Sequence, residues 1–387
     1  MNRHGAREGS GEAGREEPQN LLGNKRSTAS TPSVTALYDP QRFRRLPLPG
    51  DASTRSYYRL VPRSIAQSGR DAGSRHGIES AKDTDDTELP EEPRALILMV
   101  FEPHEGREAV ENFMLVTELF QAMECPVPQI LRASPEAGAL VLEDLGDLTL
   151  EQVAATRTAF PRGLYEEALQ IVIRAQSQGG GQLGSRPSVA HRCLDRARLG
   201  AELAFLRCHL LERNRPLSPV ATRATDAAFD WIAGAVARIP PVLNHRDYHS
   251  RNLMVTSRGL VLVDYQDALL ASPFYDPASL LLDSYTLVPR ALREELLTGY
   301  LRVARSHAAI PLPSSDAEAR WWYYLTALQR SLKALGTFAY QGLVRRRTSF
   351  LRSVPLTLHH IRCNPAAERA VMSPLLAMLH DEAGELT

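Results

Sequence analysis

The 387-residue chain has no excess of charge of either sign. Its 45 lysines and arginines balance 45 aspartates and glutamates. That balance removes the usual electrostatic argument for a nucleic-acid or membrane-surface partner. Cysteine is scarce: Cys125, Cys193, Cys208 and Cys363 are scattered and form no C-x-x-C pair. This argues against a zinc site or a disulfide framework and for reduced thiols in the cytoplasm. No apolar run approaches the length of a membrane span, and the polar, charged N-terminus has no hydrophobic signal core. A cytoplasmic monomer with no membrane or nucleic-acid partner is the expectation.

Two stretches lack large apolar side chains. Residues 1–36 are rich in Gly, Ser, Glu, Arg and Asn, too polar to offset the entropy of ordering, and read as a disordered tail. Residues 62–93 are rich in Ser, Gly, Asp and Glu and read as a low-complexity insertion. The insertion separates the alternating strand Arg55–Leu60 from the apolar strand Arg94–Phe101. A helix over about Arg107–Glu124 and an antiparallel pair, Gln129–Ala133 with Ala139–Leu142, follow. From Leu148 onward the pattern turns helical. Helices are expected over Leu164–Gln178, ended by Gly179-Gly180-Gly181, then over Asp195–Glu212, Ala221–Arg238, Ala291–His307 and Asp316–Gln341.

The chemistry concentrates in Leu243–Ala268, where a polar loop leads into a short hairpin with a carboxylate at its end. His245-Arg246-Asp247, then Asn252, then Asp264 follow the order of a kinase catalytic loop and its metal-binding aspartate. Phosphoryl transfer needs a carboxylate beside the accepting hydroxyl, which Asp247 can supply. It also needs hard oxygen ligands for magnesium, which Asn252 and Asp264 can supply from two sides of the hairpin.

Asp247-Tyr248-His249 and Val263-Asp264-Tyr265 resemble the aminoglycoside phosphotransferase and choline kinase superfamily, with its H-x-D-x-H-x-x-N loop. The strings HRDYHSRNLM, VDYQDALLASPFYDPASLL, GDAS-x-R-x-Y and LQRSLKALGTFA resemble one branch of it. That branch is the anomeric sugar kinases that act on N-acetylmuramate and N-acetylglucosamine in cell-wall recycling. The resemblance implies an α+β, bilobal, protein-kinase-like fold. Residues 37–143 would form a small antiparallel-sheet N-lobe, and 144–387 a larger, mostly helical C-lobe. It implies ATP and magnesium as cofactors and a small-molecule acceptor.

On this resemblance, Glu143 and Leu145 lie in a hinge whose backbone meets the adenine, a plain linker being the other reading. Ser53 and Thr54 reach phosphate oxygens, although only Gly50 remains of a glycine-rich loop and an ordinary hairpin is the alternative. Asp276 caps a helix and braces the catalytic loop. Asp267 is a second metal or sugar ligand, or a turn residue. Arg330 and Lys333 orient the acceptor, or belong to a solvated helix face.

One departure stands out. No lysine lies within Arg94–Ala133, and Met99 sits where a kinase lobe carries its phosphate-binding lysine. Phe113 and Met114 stand near the place of the glutamate that pairs with it, so both charges are missing together. Arg55 or Arg59 is then the replacement cation, or nucleotide binding is weak. Two other readings stay open: an aminoglycoside- or choline-type kinase, and a non-catalytic nucleotide-binding protein.

Overall fold

The computed structural model describes residues 34–48, 55–63, 95–102, 104–185 and 187–384. The tail expected over 1–36 and the insertion expected over 62–93 fall almost wholly outside these residues, as do Ser53 and Thr54.

Five strands form one antiparallel sheet: β1 (Phe43–Pro47), β2 (Ser56–Pro62), β3 (Leu96–Val100), β4 (Ile130–Ser134) and β5 (Ala139–Glu143), in the order β1-β2-β3-β5-β4. Side chains alternate between its faces, so neighbouring residues enter different cores. Leu60, Leu98 and Val141 pack with Leu37 and Tyr38 from the turn that precedes β1. Met99, Leu140 and Leu142 pack instead with Val110, Phe113 and Val116 of helix α1 (Gly106–Ala122). The first residue of α1 lies hard against the β4–β5 turn. A Cβ on Gly106 would stand 3.1 Å from the Cα of Gly138, itself at a φ of 60° that suits glycine.

The larger part is helical. α2 (Leu150–Thr156) opens with a reciprocal cap between Thr149 and Gln152. α3 (Arg162–Gln182), α4 (Pro187–Ala190), α5 (Arg196–Leu206) and α6 (Pro219–Val236) follow. The pair β6 (Val242–Asn244) and β9 (Leu269–Ala271) encloses the hairpin of β7 (Leu253–Thr256) and β8 (Gly259–Leu262). α7 (Tyr275–Leu281), α8 (Arg290–Ala304), α9 (Asp316–Ala339), α10 (Val354–Arg362) and α11 (Ser373–Gly384) complete it. Among the described residues, no helix is long and apolar enough to cross a membrane.

Two helix expectations are corrected. Gly179-Gly180-Gly181 does not end α3, which runs on to Gln182. Gly179 serves close packing there: a Cβ on it would stand 2.7 Å from the Cβ of Leu243. The helix expected over Asp195–Glu212 is regular only to Leu206. Arg207–Leu211 then widens into a turn in which the Glu212 amide bonds to the Arg207 carbonyl at 2.9 Å. A matching wide turn, Tyr340–Val344, follows α9. The ring of His209 packs between Phe205 and Tyr340, which gives this histidine a packing role.

Candidate active site

The catalytic loop is pinned from behind by buried side chains. Asn244, at the end of β6, donates to the carbonyls of Ala271 (3.1 Å) and Ser272 (3.2 Å). The next two amides, of His245 and Arg246, donate to the two carboxylate oxygens of Asp276 at 2.6 and 3.0 Å. Asp276 sits in the first turn of α7, so one side chain ties helix and loop together. Burial pushes its carboxyl up to about 7, against the pull of those two amide bonds. The Ser250 amide donates to Asp283 at 2.8 Å, and the Tyr248 hydroxyl donates to the Ala168 carbonyl of α3 at 2.8 Å. Arg246 takes a φ of 85°, a left-handed conformation held by these contacts.

The loop forms the floor of a cleft of about 660 Å3 between the sheet and the helical part. Asp247, Asn252, Asp264 and Asp267 line the floor; Glu143 and Leu145 line it where β5 leads out of the sheet. Asn252 spends its side-chain amide on the Asp247 carbonyl (2.9 Å), which leaves its oxygen as an acceptor. Asp264 has a φ of 63° and accepts at Oδ1 from Gln266 Nε2 at 3.1 Å. The same nitrogen reaches Asp267 at 2.9 Å, so Gln266 bridges the two carboxylates. Asn112 of α1 and Arg192 both donate to the Gln266 carbonyl, at 3.1 and 3.0 Å, and bind each other. The segment after Asp264 is thereby tied to α1. The Asn252 and Asp264 side-chain oxygens are hard donors, the kind magnesium takes alongside phosphate oxygens.

Asp247 sits in a cationic setting. Burial works against its charge, but Lys333 Nζ at 3.6 Å, then Arg246 and Arg330, outweigh burial and hold the carboxyl well below the usual range. The solvated-face reading of α9 is corrected here. Gln329 and Arg330 are buried, and Gln329 donates to Glu202 at 2.9 Å. Arg330 and Lys333 are both absent from the cleft lining, and both act on Asp247 through their charge.

The far end of the cleft carries residues given no role in the sequence analysis. Burial holds His249 neutral, down to about 3, and its ring lies 5.0 Å from that of Tyr285. Arg251 stacks on the same tyrosine at 3.8 Å and is fixed by Glu151 at 2.9 and 3.1 Å. Thr337 and Phe350 line this end too. His249 falls within the quoted loop motif, but Tyr285 and Phe350 have no local signal in the sequence.

The missing lysine–glutamate pair is replaced by apolar packing. Met99 and Phe113 are both buried in one cluster, and the Phe113 ring lies 5.1 Å from that of Tyr265. The two candidate cations on β2 and its approach separate clearly. Arg59 is held by Asp144 (2.6 Å) and Asp147 (2.8 Å) at the exit from β5. Arg55 points to the floor, with Nη1 3.2 Å from Asp264 Oδ1.

A model of the phosphotransferase enzyme family matches residues 81–311. An N-acetylmuramate/N-acetylglucosamine kinase of Pseudomonas aeruginosa is 30% identical over 290 residues, covering 74% of this chain and 82% of that protein. One from Neisseria meningitidis is 27% identical over 291 residues, covering 72% and 81%. Among solved structures, an ethanolamine kinase of Plasmodium vivax shares the fold with a TM-score of 0.52, at 10% identity over 85% of each chain. The pinned loop, the cleft above it and a family match across more than half of the residues agree: this chain belongs to the phosphotransferase enzyme family.

Proposed function

We propose that this chain transfers the γ-phosphate of ATP to the anomeric hydroxyl of an N-acetyl amino sugar of the N-acetylmuramate/N-acetylglucosamine type. The observation that carries the reading is Asp247 on the floor of the cleft, beside Asn252 and Asp264 and ion-paired with Lys333 of α9. The sugar comes from the two relatives so named, each aligned over more than 70% of this chain. An adenine would lie between Ile97, Met99 and Leu142 above and Met254 and Val263 below, with the backbone of Glu143–Leu145 at its edge. Asn252 and Asp264 would hold magnesium, which when bound neutralises charge on the phosphates and fixes their orientation.

Asp247 positions the accepting hydroxyl. Its carboxylate accepts a hydrogen bond from that hydroxyl and aims the oxygen in line with the γ-phosphate. Lys333 fixes that carboxylate and adds positive charge where the transferred group passes. His249, Tyr285 and Arg251 form the wall toward which the acceptor extends. Asp267 is reserved for a sugar hydroxyl or a second metal contact.

The test is ADP release with magnesium against N-acetylmuramate, N-acetylglucosamine, an aminoglycoside and choline. Turnover on an N-acetyl sugar is expected, with a phosphate product that is stable to alkali and labile to acid. Asp247→Asn should lower kcat by about 1,000-fold with ATP binding nearly unchanged. Turnover surviving in that variant would remove the role given to Asp247; turnover only on another acceptor would remove the sugar.

A further inference from the structure

A second pocket, of about 180 Å3, opens at the start of α8, and no residue lining it lines the catalytic cleft. Its wall includes Tyr323, ten residues before Lys333 on α9 and so about 15 Å from it along the helix axis. Three of its polar side chains are unspent. Arg290 and Arg293, one turn apart on α8, make no ion pair or side-chain hydrogen bond among the described residues. The first-turn amides of α8 follow Pro289 and have no side-chain cap, so this helix end favours a negative charge. Tyr323 is 1% exposed, and its buried hydroxyl has no hydrogen-bond partner, which is unusual for such a group. Glu294, the acidic side chain of the lining, is paired with Arg320 at 2.8 Å and leaves the two arginines uncompensated.

We propose that this pocket binds a small organic anion. Its carboxylate or phosphate oxygens take Arg290, Arg293 and the open amides of α8, the Tyr323 hydroxyl donates to the same group, and its apolar part rests on Leu282 and Val288. The volume suits a ring-sized molecule, since a cavity of about 150 Å3 accommodates benzene. Two guanidiniums beside a helix N-terminus select oxyanions over halides, because both offer directed N–H donors that a carboxylate or phosphate can share.

The experiment is thermal unfolding of the full chain with benzoate, inorganic phosphate, or chloride at matched ionic strength, each with and without ADP and magnesium. Benzoate, phosphate or both should raise Tm saturably whether or not nucleotide is present, while chloride does not. A response to benzoate alone assigns a carboxylate ligand, and one to phosphate alone a phosphate ligand. The double variant Arg290→Ala/Arg293→Ala should lose the response, and Tyr323→Phe should weaken it about five-fold. Turnover without added anion should be unchanged in both. The proposal is overturned if neither anion shifts Tm, if chloride reproduces the shift, or if the shift survives in the double variant. None of these outcomes depends on the acceptor of the kinase reaction.

Discussion

Arg55 is the residue on which the departure from the usual kinase lobe turns. It touches Asp264, one of the two oxygen donors assigned to magnesium, across 209 positions of sequence. With a metal on that carboxylate, the guanidinium would lie beside the phosphates, where the absent lysine would have worked. Arg55→Met should therefore raise KM for ATP by about 10- to 100-fold, as expected for a lost charge-assisted hydrogen bond, with Arg55→Lys in between. An unchanged KM in steady-state kinetics would leave Arg55 with no part in nucleotide binding. The sequence made the loss of the lysine legible but left two replacements. Arg55 and Arg59 are four residues apart on an extended segment and so share a face. What separates them is Asp144 and Asp147, more than 80 positions away, and no local pattern records that contact.

At the scale of elements, α9 couples helix packing to the site. It carries Lys333, and three residues later it lies so close to α5 that a Cβ on Gly336 would stand 2.8 Å from the Cα of Leu206. Backbone cannot yield as a side-chain tip can. Gly336→Ala should cost about 1–3 kcal/mol of stability, seen as a lower urea midpoint at an unchanged m-value. It should also lower kcat, because any tilt of α9 withdraws Lys333 from Asp247. An unaltered midpoint would show that the two helices separate without cost. The same glycine logic explains where the sequence reading of elements failed. Three consecutive glycines cost a helix about 1 kcal/mol each relative to alanine, which argues for a break in α3. The contact of Gly179 with Leu243 reverses that preference, and it is tertiary. The catalytic loop and hairpin were legible because their pattern is local. The burial of Gln329 and Arg330 was not, because it depends on Glu202 of α5.

For the whole molecule, the buried brace of the loop ties stability and activity to pH in opposite directions. The native chain keeps the Asp276 proton up to about 7, whereas an unfolded chain releases it near 4. Across that window the native state binds the extra proton, so this group's contribution to stability falls as pH rises. Activity should rise over the same window, because the ionised carboxylate is the better acceptor for the His245 and Arg246 amides. Buried His360 is held neutral, down to about 4, and contributes the reverse slope to stability below the ordinary imidazole value. The Asp276 part is therefore read by difference. Relative to Asp276→Asn, the chain should lose Tm and gain kcat between pH 5 and about 7.5. A fall of both together, or no difference between the two proteins, would contradict the assignment.

The ion pair beside Asp247 has a consequence of another kind. The chain's basic residues are almost all arginine; its lysines are Lys25, Lys82 and Lys333, and the first two lie outside the described residues. Lys333 is thus the one side-chain amine of the described residues, and its side chain is 22% exposed. An acylating reagent or an isotopic methyl tag that ignores guanidinium groups would mark Lys333 with few other amines, Lys25 and Lys82 among them, and digestion places these three lysines on separate peptides. Protection of Lys333 by nucleotide and acceptor could then be followed by mass spectrometry on the unaltered protein.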